Sequence, residues 1–525
     1  MELETIKAKP KDSFNFAVIQ EYFSLNDMET TEYTLSDRSV EDLDFHDFFA
    51  SIDRTTSAVG QQYLYDRLRR LETSEAKAAA LESELNFYTQ DEKRTVALQK
   101  ILSQLSTSND YYFPFLIFGD LPPRLNFFSV IRVLQMITFL SIFASIFYPS
   151  FLLLLILIFG INLFLHYWHK MRIGNFAAIF ARLVRLTKTA KQLLVYTQPE
   201  KGIDATLTKQ IHQVEKLTGK VLLLKTENLQ GNEITSLIWY IFELFKIITL
   251  TEISTFHTVV DDIQVARPAI KSLFDFIGKI DLRLSINRLR TELPFYSQPI
   301  FTAAQKEMEL VGIYHPLVKN CVENDLHLVN KSLLLTGSNM SGKTTFIRTV
   351  NLNLIAAQTM NTSFSKKYRA PILAIASSIR ITDDLQEDKS YYMEEVAAIG
   401  HLIDCAEQAP QFLFTIDEVF KGTNTIERIS AAKAILAYLT QKNNIVFVST
   451  HDIELTELLS DTYELHYFQE SIADEKLSFD YKIKQGALKQ KNAIRILEIA
   501  GYPKEILAEA RRLTVKFEAE KTGRL

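Results

Sequence analysis

Residues 332–345 read Ser-Leu-Leu-Leu-Thr-Gly-Ser-Asn-Met-Ser-Gly-Lys-Thr-Thr, and this stretch decides the fold of the carboxyl-terminal region of the chain. Its first five residues form a short apolar run typical of a buried strand, and residues 337–344 match the pattern GxxxxGK[ST]. A helix is predicted from Phe346 onward. Strand, glycine-rich loop and helix in this order place backbone amides and a helix N-terminus around phosphate groups. The stretch therefore predicts a phosphate-binding loop, or P-loop, in an α/β domain.

The residues of this loop have separate predicted roles in holding ATP and Mg²⁺. The loop backbone surrounds the phosphates, the Lys343 ammonium reaches the β- and γ-phosphates, and the Thr344 hydroxyl is a Mg²⁺ ligand. The predicted nucleotide-binding residues of the loop and of the helix start are Gly337, Ser338, Asn339, Met340, Ser341, Gly342, Lys343, Thr344 and Thr345.

Two further apolar runs end in polar residues that suit the same site. Residues 412–416 lead into Asp417 and Glu418, and residues 444–449 lead into Thr450-His451. At such a strand end Asp417 holds Mg²⁺ through water and Glu418 polarises an attacking water. His451 is predicted to sense the γ-phosphate or to position water. We therefore predict Glu418 and His451 as catalytic residues, with Thr344 and Asp417 as the metal site.

Composition and charge limit the class of protein and the partners that it can have. A chain of 525 residues predicts two to four domains, and 47% apolar residues exclude a mostly disordered protein. A net charge of −5 gives no general attraction to nucleic acid, so DNA binding needs a local basic patch. Two cysteines, Cys321 and Cys405, form no CxxC pair, which suits a reducing compartment. The N-terminus shows no secretory signal, so we expect the ATPase domain in the cytoplasm.

Apolar spacing changes along the chain and predicts its organisation. Helical periodicity dominates before residue 300, and short β-like runs alternating with helices follow from Glu309. The predicted fold class is an α/β P-loop ATPase domain preceded by an all-α region with a hydrophobic hairpin. The predicted segments are a lead-in at 1–35, a first helical core segment at 36–125, a transmembrane hairpin at 126–170, a second helical core and lever segment at 171–300, the ATPase domain at 301–485 and a terminal helical element at 486–525.

Residues 133–169 contain no Asp, Glu, Lys or Arg. Pro149-Ser150 divides them into two apolar halves, and a membrane helix needs about 20 apolar residues. Arg124 and Arg132 precede the stretch and Lys170 follows it, which is the positive-inside pattern for a hairpin that enters and leaves from the cytoplasm. We therefore predict that residues 127–168 insert into the cytoplasmic (inner) membrane. The alternative is a buried helical hairpin in a large core.

Residues 336–345 are similar to the TGxNMxGKST loop of the MutS family of mismatch-recognition ATPases. The resemblance is specific over about 310–515, moderate over 40–72 and thin between them. Other segments that resemble family motifs are residues 315–318, 324–325, 383–385, 390–395, 417–425, 450–451, 481–503 and, in the helical region, 48–60.

This resemblance implies more than the local patterns do. It implies a Mg²⁺-dependent ATPase of ABC/MutS-like fold and a homodimer with composite ATP sites. Residues 417–425, including Asn424, then reach the partner's nucleotide, and Ser390 and Glu395 lie near the γ-phosphate. The terminal element, residues 486–525, is then a dimerisation element. DNA is implied as a partner by the family alone.

Several departures from the family pattern bear on function. Asn424 stands where the family has serine and Arg428 where it often has glycine, so the contact across a dimer is expected to differ. Val322 takes the place of an aromatic that stacks on adenine. We find no wedge motif that would insert an aromatic into a base step, and we expect no mismatch-reading domain before residue 40.

A basic stripe follows the hairpin. Arg182, Arg185, Lys188 and Lys191 recur every three residues and share one side of a predicted helix. Anionic lipid headgroups, DNA phosphates and plain solvent are all partners for such a stripe. The sequence favours lipid over DNA and leaves the three open.

The sequence therefore leaves three candidate functions open. The first is a membrane-tethered MutS-like ATPase that couples ATP to DNA binding. The second is an ABC-type membrane-remodelling or transport-related ATPase without nucleic-acid binding, although no LSGGQ motif precedes Asp417. The third is a nucleotide-gated scaffold with negligible turnover.

Overall fold

The computed structural model describes residues 13–26, 33–71, 75–89, 91–196, 203–224, 233–303, 306–380, 391–408, 410–420, 424–473, 476–488 and 493–522. The α-helices are α1 Phe16–Ile19, α2 Glu21–Leu25, α3 Asp37–Asp42, α4 Phe45–Ile52, α5 Ala58–Arg69, α6 Glu75–Thr89, α7 Glu92–Leu102, α8 Phe113–Phe118, α9 Phe128–Phe147, α10 Phe151–Leu194, α11 Ile203–Leu224, α12 Glu233–Thr249, α13 Thr251–Glu292, α14 Lys343–Met360, α15 Tyr391–Ala406, α16 Thr425–Leu439, α17 Glu454–Leu458, α18 Ala493–Ile499 and α19 Lys504–Thr522. The strands are β1 Tyr33–Thr34, β2 Arg70–Leu71, β3 Ile300–Phe301, β4 Glu307–Ile313, β5 Asn324–Val329, β6 Ser332–Thr336, β7 Lys367–Ala370, β8 Ala374–Ser378, β9 Phe412–Asp417, β10 Ile445–Ser449, β11 Tyr463–Tyr467, β12 Glu470–Ala473, β13 Lys476–Phe479 and β14 Lys484–Gln485.

The chain divides into two compact units, and each is drawn from three segments. Unit 1 consists of residues 1–29, 53–67 and 84–289, and unit 2 of residues 30–52, 68–83 and 290–525. The segments predicted from the sequence were contiguous ranges of the chain instead. Apolar spacing indicates local structure, but it does not indicate which distant segments pack together. Stretches of the predicted first helical core segment therefore belong to the unit that carries the glycine loop.

Unit 1 is helical, and its core comes from apolar residues that recur every three or four positions. Leu183, Leu186, Ala190 and Leu193 line one side of α10 and are fully buried. The start of α5 is fixed by the buried Asp281 carboxylate, which accepts bonds from the two backbone amides just before the helix. Helical periodicity alone predicted this region of the fold.

The hairpin is formed by α9 and the first half of α10. Residues 128–147 and 151–173 are long and apolar enough to cross a membrane by length and composition, and 17% of each apolar window is buried. A buried hairpin in a large core requires the opposite, since its side chains would be covered. α10 then continues without a break to Leu194, although the sequence analysis ended the hairpin at residue 170. Lys170 and Arg172 do not interrupt it, because both residue types favour helix.

Unit 2 contains a six-stranded sheet with the order β14-β11-β6-β10-β9-β8. The five strands from β11 to β8 are parallel, and only the edge strand β14 is antiparallel. β6, β8 and β10 are buried at every position, as expected for a parallel sheet covered on both faces. The three predicted strands of the site, β6, β9 and β10, are adjacent, so their carboxyl ends lie at one edge.

A second sheet in unit 2 has the order β3-β7-β4-β5. β4 and β5 are antiparallel, with an irregular register between Leu310 and Ile313. Gly312 lies inside this irregularity with φ +61, a conformation that glycine adopts without strain. The turn after β4 carries residues 315–318 and contributes to the cavity described below.

An N-terminal segment completes unit 2. Asp42, at the end of α3, is 1% exposed and lies at the end of β8. Its carboxylate accepts bonds from the Ser377 hydroxyl at 2.7 Å, the Ile379 amide at 3.1 Å and the Arg380 amide at 2.7 Å. Asp44 pairs with Arg380 at 2.7 Å. A buried carboxylate with three donors ties this distant segment to the sheet.

Asp42→Ala should destabilise unit 2 by about 2–4 kcal/mol, because it leaves the buried Ile379 amide and the partly buried Arg380 amide without acceptors. Thermal unfolding of the detergent-solubilised chain, followed by circular dichroism, measures the effect. Asp47→Ala is the matched control, since Asp47 lies in the next helix and is exposed. Equal midpoints for the two variants would contradict the anchoring role of Asp42.

Candidate functional site

The glycine loop, defined as residues 337–342, connects the end of β6 to the start of α14. Gly337 has φ +143 and Gly342 has φ +103, backbone conformations that residues with a side chain rarely adopt. A Cβ on Gly337 would lie 2.6 Å from the carbonyl oxygen of Phe468. The loop geometry therefore requires both glycines of the sequence pattern.

Internal hydrogen bonds hold the loop closed around the Lys343 ammonium. The Ser341 hydroxyl donates to the Ser338 carbonyl at 2.6 Å, and the Ser338 hydroxyl donates to the Glu470 carboxylate at 3.0 Å. The Lys343 ammonium donates to the carbonyls of Gly337 at 2.7 Å and Ser338 at 3.0 Å. Lys343 is 2% exposed, so a buried positive charge sits beside the loop amides and the N-terminus of α14.

The other predicted loop residues lie in the same structure. Residues 339–341 form a 3-10 turn that ends at Gly342, and Ser341 is buried. Met340 is 69% exposed, and Thr345 follows Thr344 in the first turn of α14. Asn339 lies in this turn, but its side chain is outside what the structure describes.

Asp417 joins three elements at the strand edge. The Thr344 hydroxyl at the start of α14 donates to Asp417 Oδ2 at 2.9 Å. The Ser449 hydroxyl at the end of β10 donates to Asp417 Oδ1. A hydroxyl and a carboxylate oxygen are the ligand types that Mg²⁺ prefers. The structure thus brings together the two residues that the sequence predicted as the metal site.

Glu418 and His451 form a second pair beside Asp417. Glu418 has φ +67, and its amide donates to the Ser449 carbonyl at 3.0 Å. His451 Nε2 lies 3.0 Å from Glu418 Oε1, and the two side chains are 42% and 22% exposed. The Glu418 carboxylate is therefore oriented by a histidine and still reached by solvent. This is the geometry of a carboxylate that can polarise water.

Asn424 and Arg428 have local partners in this chain. Asn424 is the N-cap of α16, and its side-chain oxygen accepts a bond from the Ile426 amide at 3.0 Å. Arg428 binds Asp452 through two bonds of 3.0 and 2.6 Å, and this pairing raises the pKa of Arg428. Since Asp452 directly follows His451, the guanidinium fixes the position of the segment that carries His451.

A cavity of about 410 Å³ opens next to the loop. Asn324 fixes one wall, because its side chain donates to the Tyr481 carbonyl at 3.0 Å and accepts from the Ile483 amide at 2.8 Å. The ring of Tyr481 lies near Gly342, since a Cβ there would be 3.3 Å from Tyr481 Cδ1. Side chains that line the cavity include Val318, Cys321, Val322, Phe346, Phe468 and Tyr481.

This cavity changes the interpretation of Val322 and Tyr481. From the sequence, Val322 replaces an aromatic, and Tyr481 begins the segment 481–503 that resembles a family motif. In the structure both residues line one cavity, so Tyr481 supplies an aromatic ring where Val322 supplies none. The sequence carried no signal for this, because residues 322 and 481 are far apart in the chain and only the fold brings them to one cavity.

His315 supports the turn beside the cavity and is not a ligand of the site. It is buried, and burial, with a smaller contribution from Arg348, lowers its pKa to about 4. Its Nδ1 accepts a bond from the Leu317 amide at 3.2 Å, which the neutral ring allows. The motif at 315–318 therefore shapes the cavity wall.

Some predicted residues are outside the described region of the chain. These are residues 383–385, Ser390 and residues 421–423. Glu395 lies in α15 and is buried. The proposed roles of Ser390 and Glu395 near the γ-phosphate stay a prediction.

Two carboxylates of unit 1 pair with three of the four cations of the basic stripe on α10. Arg185 binds the buried Asp110 carboxylate at 2.8 Å, and Arg182 lies 3.5 Å from the same oxygen. Lys191 pairs with Glu215 at 2.8 Å. Lys188 is exposed. Because three of the four cations have acidic partners, the stripe is a weaker phosphate-binding surface than the sequence suggested.

Unit 2 is thus an α/β domain with a mainly parallel sheet and a cluster of loop, carboxylate and histidine residues at the carboxyl edge of its strands. Its sequence identifies the domain further. Residues 333–518 match the family described as MutS domain V, which is the ATPase domain of MutS proteins. Over these residues the chain is similar to the MutS family.

Individual relatives support the same assignment. The chain is 30% identical to the DNA mismatch repair protein MutS of Lysinibacillus sphaericus over 281 residues, or 51% of this chain and 32% of that protein. It is 28% identical to the protein of that name from Carboxydothermus hydrogenoformans over 361 residues, or 66% of this chain and 40% of that protein. The chain therefore spans about a third of the length of the curated relatives it matches.

Asn424→Ala should destabilise α16 by about 1 kcal/mol, because the helix loses its N-cap acceptor. Asn424→Ser keeps a capping oxygen and should leave stability within a few tenths of a kcal/mol. Urea unfolding of the two variants measures the difference. Equal loss in both would show that the asparagine amide matters beyond the cap.

Proposed function

We propose that this chain is a membrane-tethered MutS-like ATPase that couples binding and Mg²⁺-dependent hydrolysis of ATP to DNA binding. The contact between Thr344 and Asp417 beside the buried Lys343 carries the ATPase element of this proposal. The site suits ATP because it combines a buried ammonium, a glycine loop that a Cβ would block and oxygen ligands for a cation.

Each residue has a defined role in the proposed reaction. Lys343 and the loop amides bind the phosphates, and the ring of Tyr481 contacts the base in the adjoining cavity. Thr344 and Asp417 hold Mg²⁺, which when bound offsets negative charge on the phosphate oxygens. Glu418 polarises the attacking water, and His451 keeps the Glu418 carboxylate in position.

A homodimer with composite ATP sites belongs to the proposal. Ile426, next to the Asn424 cap, is 77% exposed, and Met340 of the loop is 69% exposed. On α19, Val515 and Phe517 are 68% and 61% exposed. Apolar residues of this size on a surface favour contact with a second chain. ATP would then act on the dimer by binding one arrangement more tightly than another.

Membrane tethering rests on the hairpin. Ile146 and Leu153, on either side of its tip, are 73% and 75% exposed. Exposing so much apolar surface to water has an unfavourable free energy, whereas contact with lipid acyl chains does not. Basic residues at both ends of the hairpin favour an inner-membrane location with the ATPase domain in the cytoplasm.

A second candidate function is an ABC-type membrane-remodelling or transport-related ATPase without nucleic-acid binding. The ion pairs of Arg182, Arg185 and Lys191 favour it, because they offset part of the positive charge of the stripe that could contact DNA phosphates. Both candidates use the same ATP site, so they differ only in the partner.

Lys343→Ala should abolish ATP binding or turnover, since the phosphates lose their buried cation. Glu418→Gln should retain ATP binding, trap the ATP-bound dimer and lower turnover by about 10²–10⁴-fold. Nucleotide binding and phosphate release by the detergent-solubilised chain measure both effects. Glu457→Gln, an exposed position on α17, is the control. Wild-type hydrolysis by Glu418→Gln would refute the assigned role of Glu418.

Equilibrium binding to duplex, mismatched and branched DNA across a salt series separates the two candidates. If DNA is the partner, ATP should change its affinity, and binding should weaken steeply as salt rises because counterions are released from the phosphates. Binding to none of these DNAs, with turnover intact, would favour the second candidate.

A further inference from the structure

The corner between α12 and α13 packs against the hairpin. α12 ends at Thr249 and α13 begins at Thr251, with Leu250 between them at φ +49 and fully buried. Leu250 belongs to a small apolar cluster with Phe128 and Ile131 of α9. A turn of the chain is thus held against a helix that is apolar enough to cross a membrane.

Side-chain amides of the hairpin satisfy the polar backbone of this corner. The last carbonyls of a helix have no donor within it. Asn162 donates to the Ile248 carbonyl at 2.8 Å, and Gln135 donates to the Thr249 carbonyl at 2.8 Å. Gln135 also donates to the Ser254 hydroxyl at 3.0 Å. Backbone that turns inside a bilayer requires such partners, because no water is present there.

The two amides lie at nearly the same level along the hairpin. Gln135 is about 18 Å and Asn162 about 16 Å from the helix ends at the tip, at 1.5 Å per residue. The hydrocarbon layer is about 30 Å thick. If the hairpin crosses it, the corner at Leu250 lies near the middle of the layer.

Charged residues near the corner face inward and balance one another. The Glu243 carboxylate lies 3.1 Å from His166 Nε2, 3.0 Å from the Lys170 ammonium and 3.5 Å from the Lys246 ammonium. Lys246 also lies 3.4 Å from Glu252. Two carboxylates and two ammonium groups give no net charge when the imidazole is neutral. Such pairing is what ionisable groups at membrane depth need.

A metal centre explains this cluster less well. His166, Glu243 and Glu252 place ligand atoms within 4.8 Å of one another. However, Lys170 and Lys246 already contact the two carboxylates, and a metal ion would have to displace or face their ammonium groups. The ion-pair network is therefore the better interpretation.

The opposite side of α12 is apolar and exposed. Its residues recur at helical spacing, so they form one stripe along the helix. The members of this α12 stripe are Leu237, Tyr240, Ile241, Leu244 and Phe245, which are 47–66% exposed. A helix at a water surface shows the reverse pattern, with charges outside and apolar residues inside.

We propose that the α12–α13 corner is a re-entrant membrane element and that the α12 stripe contacts lipid acyl chains. This rests on the membrane placement of the hairpin proposed above. Glu243 and Lys246 are the charged residues of this part of α12, and both are buried on the side away from the α12 stripe. Arg124 and Asp261, paired at 2.5 Å, lie where the hairpin and α13 leave the apolar layer.

Fluorescent labels that report lipid or water contact test the proposal. We would attach an environment-sensitive dye to Leu244→Cys, Leu153→Cys or Val265→Cys in the full chain with Cys321→Ala and Cys405→Ala, reconstituted in phosphatidylcholine–phosphatidylglycerol vesicles. Leu153 reports the hairpin, and Val265 is a matched control, since it is 75% exposed on α13 about 22 Å beyond the corner. Lipid-borne nitroxide and aqueous iodide are the two quenchers.

The expected result is that nitroxide lipid quenches labels at 244 and 153, while iodide quenches the label at 265 severalfold more strongly. Iodide quenching at 244 with lipid quenching at 153 would overturn the inference and leave the hairpin in the membrane. Protection at 244 from both quenchers would also overturn it, since protein would then cover the stripe. Iodide quenching at both 153 and 244 would refute the membrane tether itself.

A measurement on the unmodified chain covers the case in which the cysteine variants do not fold. An apolar carbene reagent dissolved in the vesicles should modify peptides from the hairpin and the peptide that carries residues 237–245. Modification of the hairpin alone would overturn the inference.

Discussion

The hydrogen bond between the Thr344 hydroxyl and the Asp417 carboxylate joins the helix that follows the glycine loop to the end of a neighbouring strand. It is available because β6, β10 and β9 are adjacent and parallel, so that their carboxyl ends share one edge of the sheet. The same edge carries Ser449, Glu418 and His451. The proposed ATP site therefore depends on strand order, and any change in that order would separate its carboxylates from its loop.

Unit 1 follows a different constraint, which is the exposed apolar surface of its hairpin. α10 has 44 residues, so it extends for about 66 Å and joins the hairpin to the helical core without a break. Its polar residues Asn162, His166 and Lys170 all face the α12–α13 corner, where they meet carbonyls and carboxylates. Such a continuous helix can transmit a movement between the hairpin and the core of this unit.

The structure shows which contacts are made by the residues that depart from the MutS pattern. Asn424 retains a capping oxygen, so the change from serine preserves the start of α16. Arg428 adds a charge where the family often has glycine, but Asp452 neutralises it next to His451. Val322 removes an aromatic ring from the cavity that Tyr481 lines from another segment. These substitutions are thus compatible with a working site and change which residues compose it.

The sequence by itself determined the glycine loop, the three strands of the site, the acidic pair at 417–418 and the apolar hairpin, because each is a local pattern with a local cause. Tertiary structure alone decided that Tyr481 lines the same cavity as Val322, that Asp110 and Glu215 pair with three cations of the basic stripe and that Asp42 joins the sheet of unit 2. It also decided that Glu243 and Lys246 of α12 are buried. Local spacing fixes which residues share a helix face or strand end, but the burial and pairing of a charge depend on distant segments that no spacing reveals.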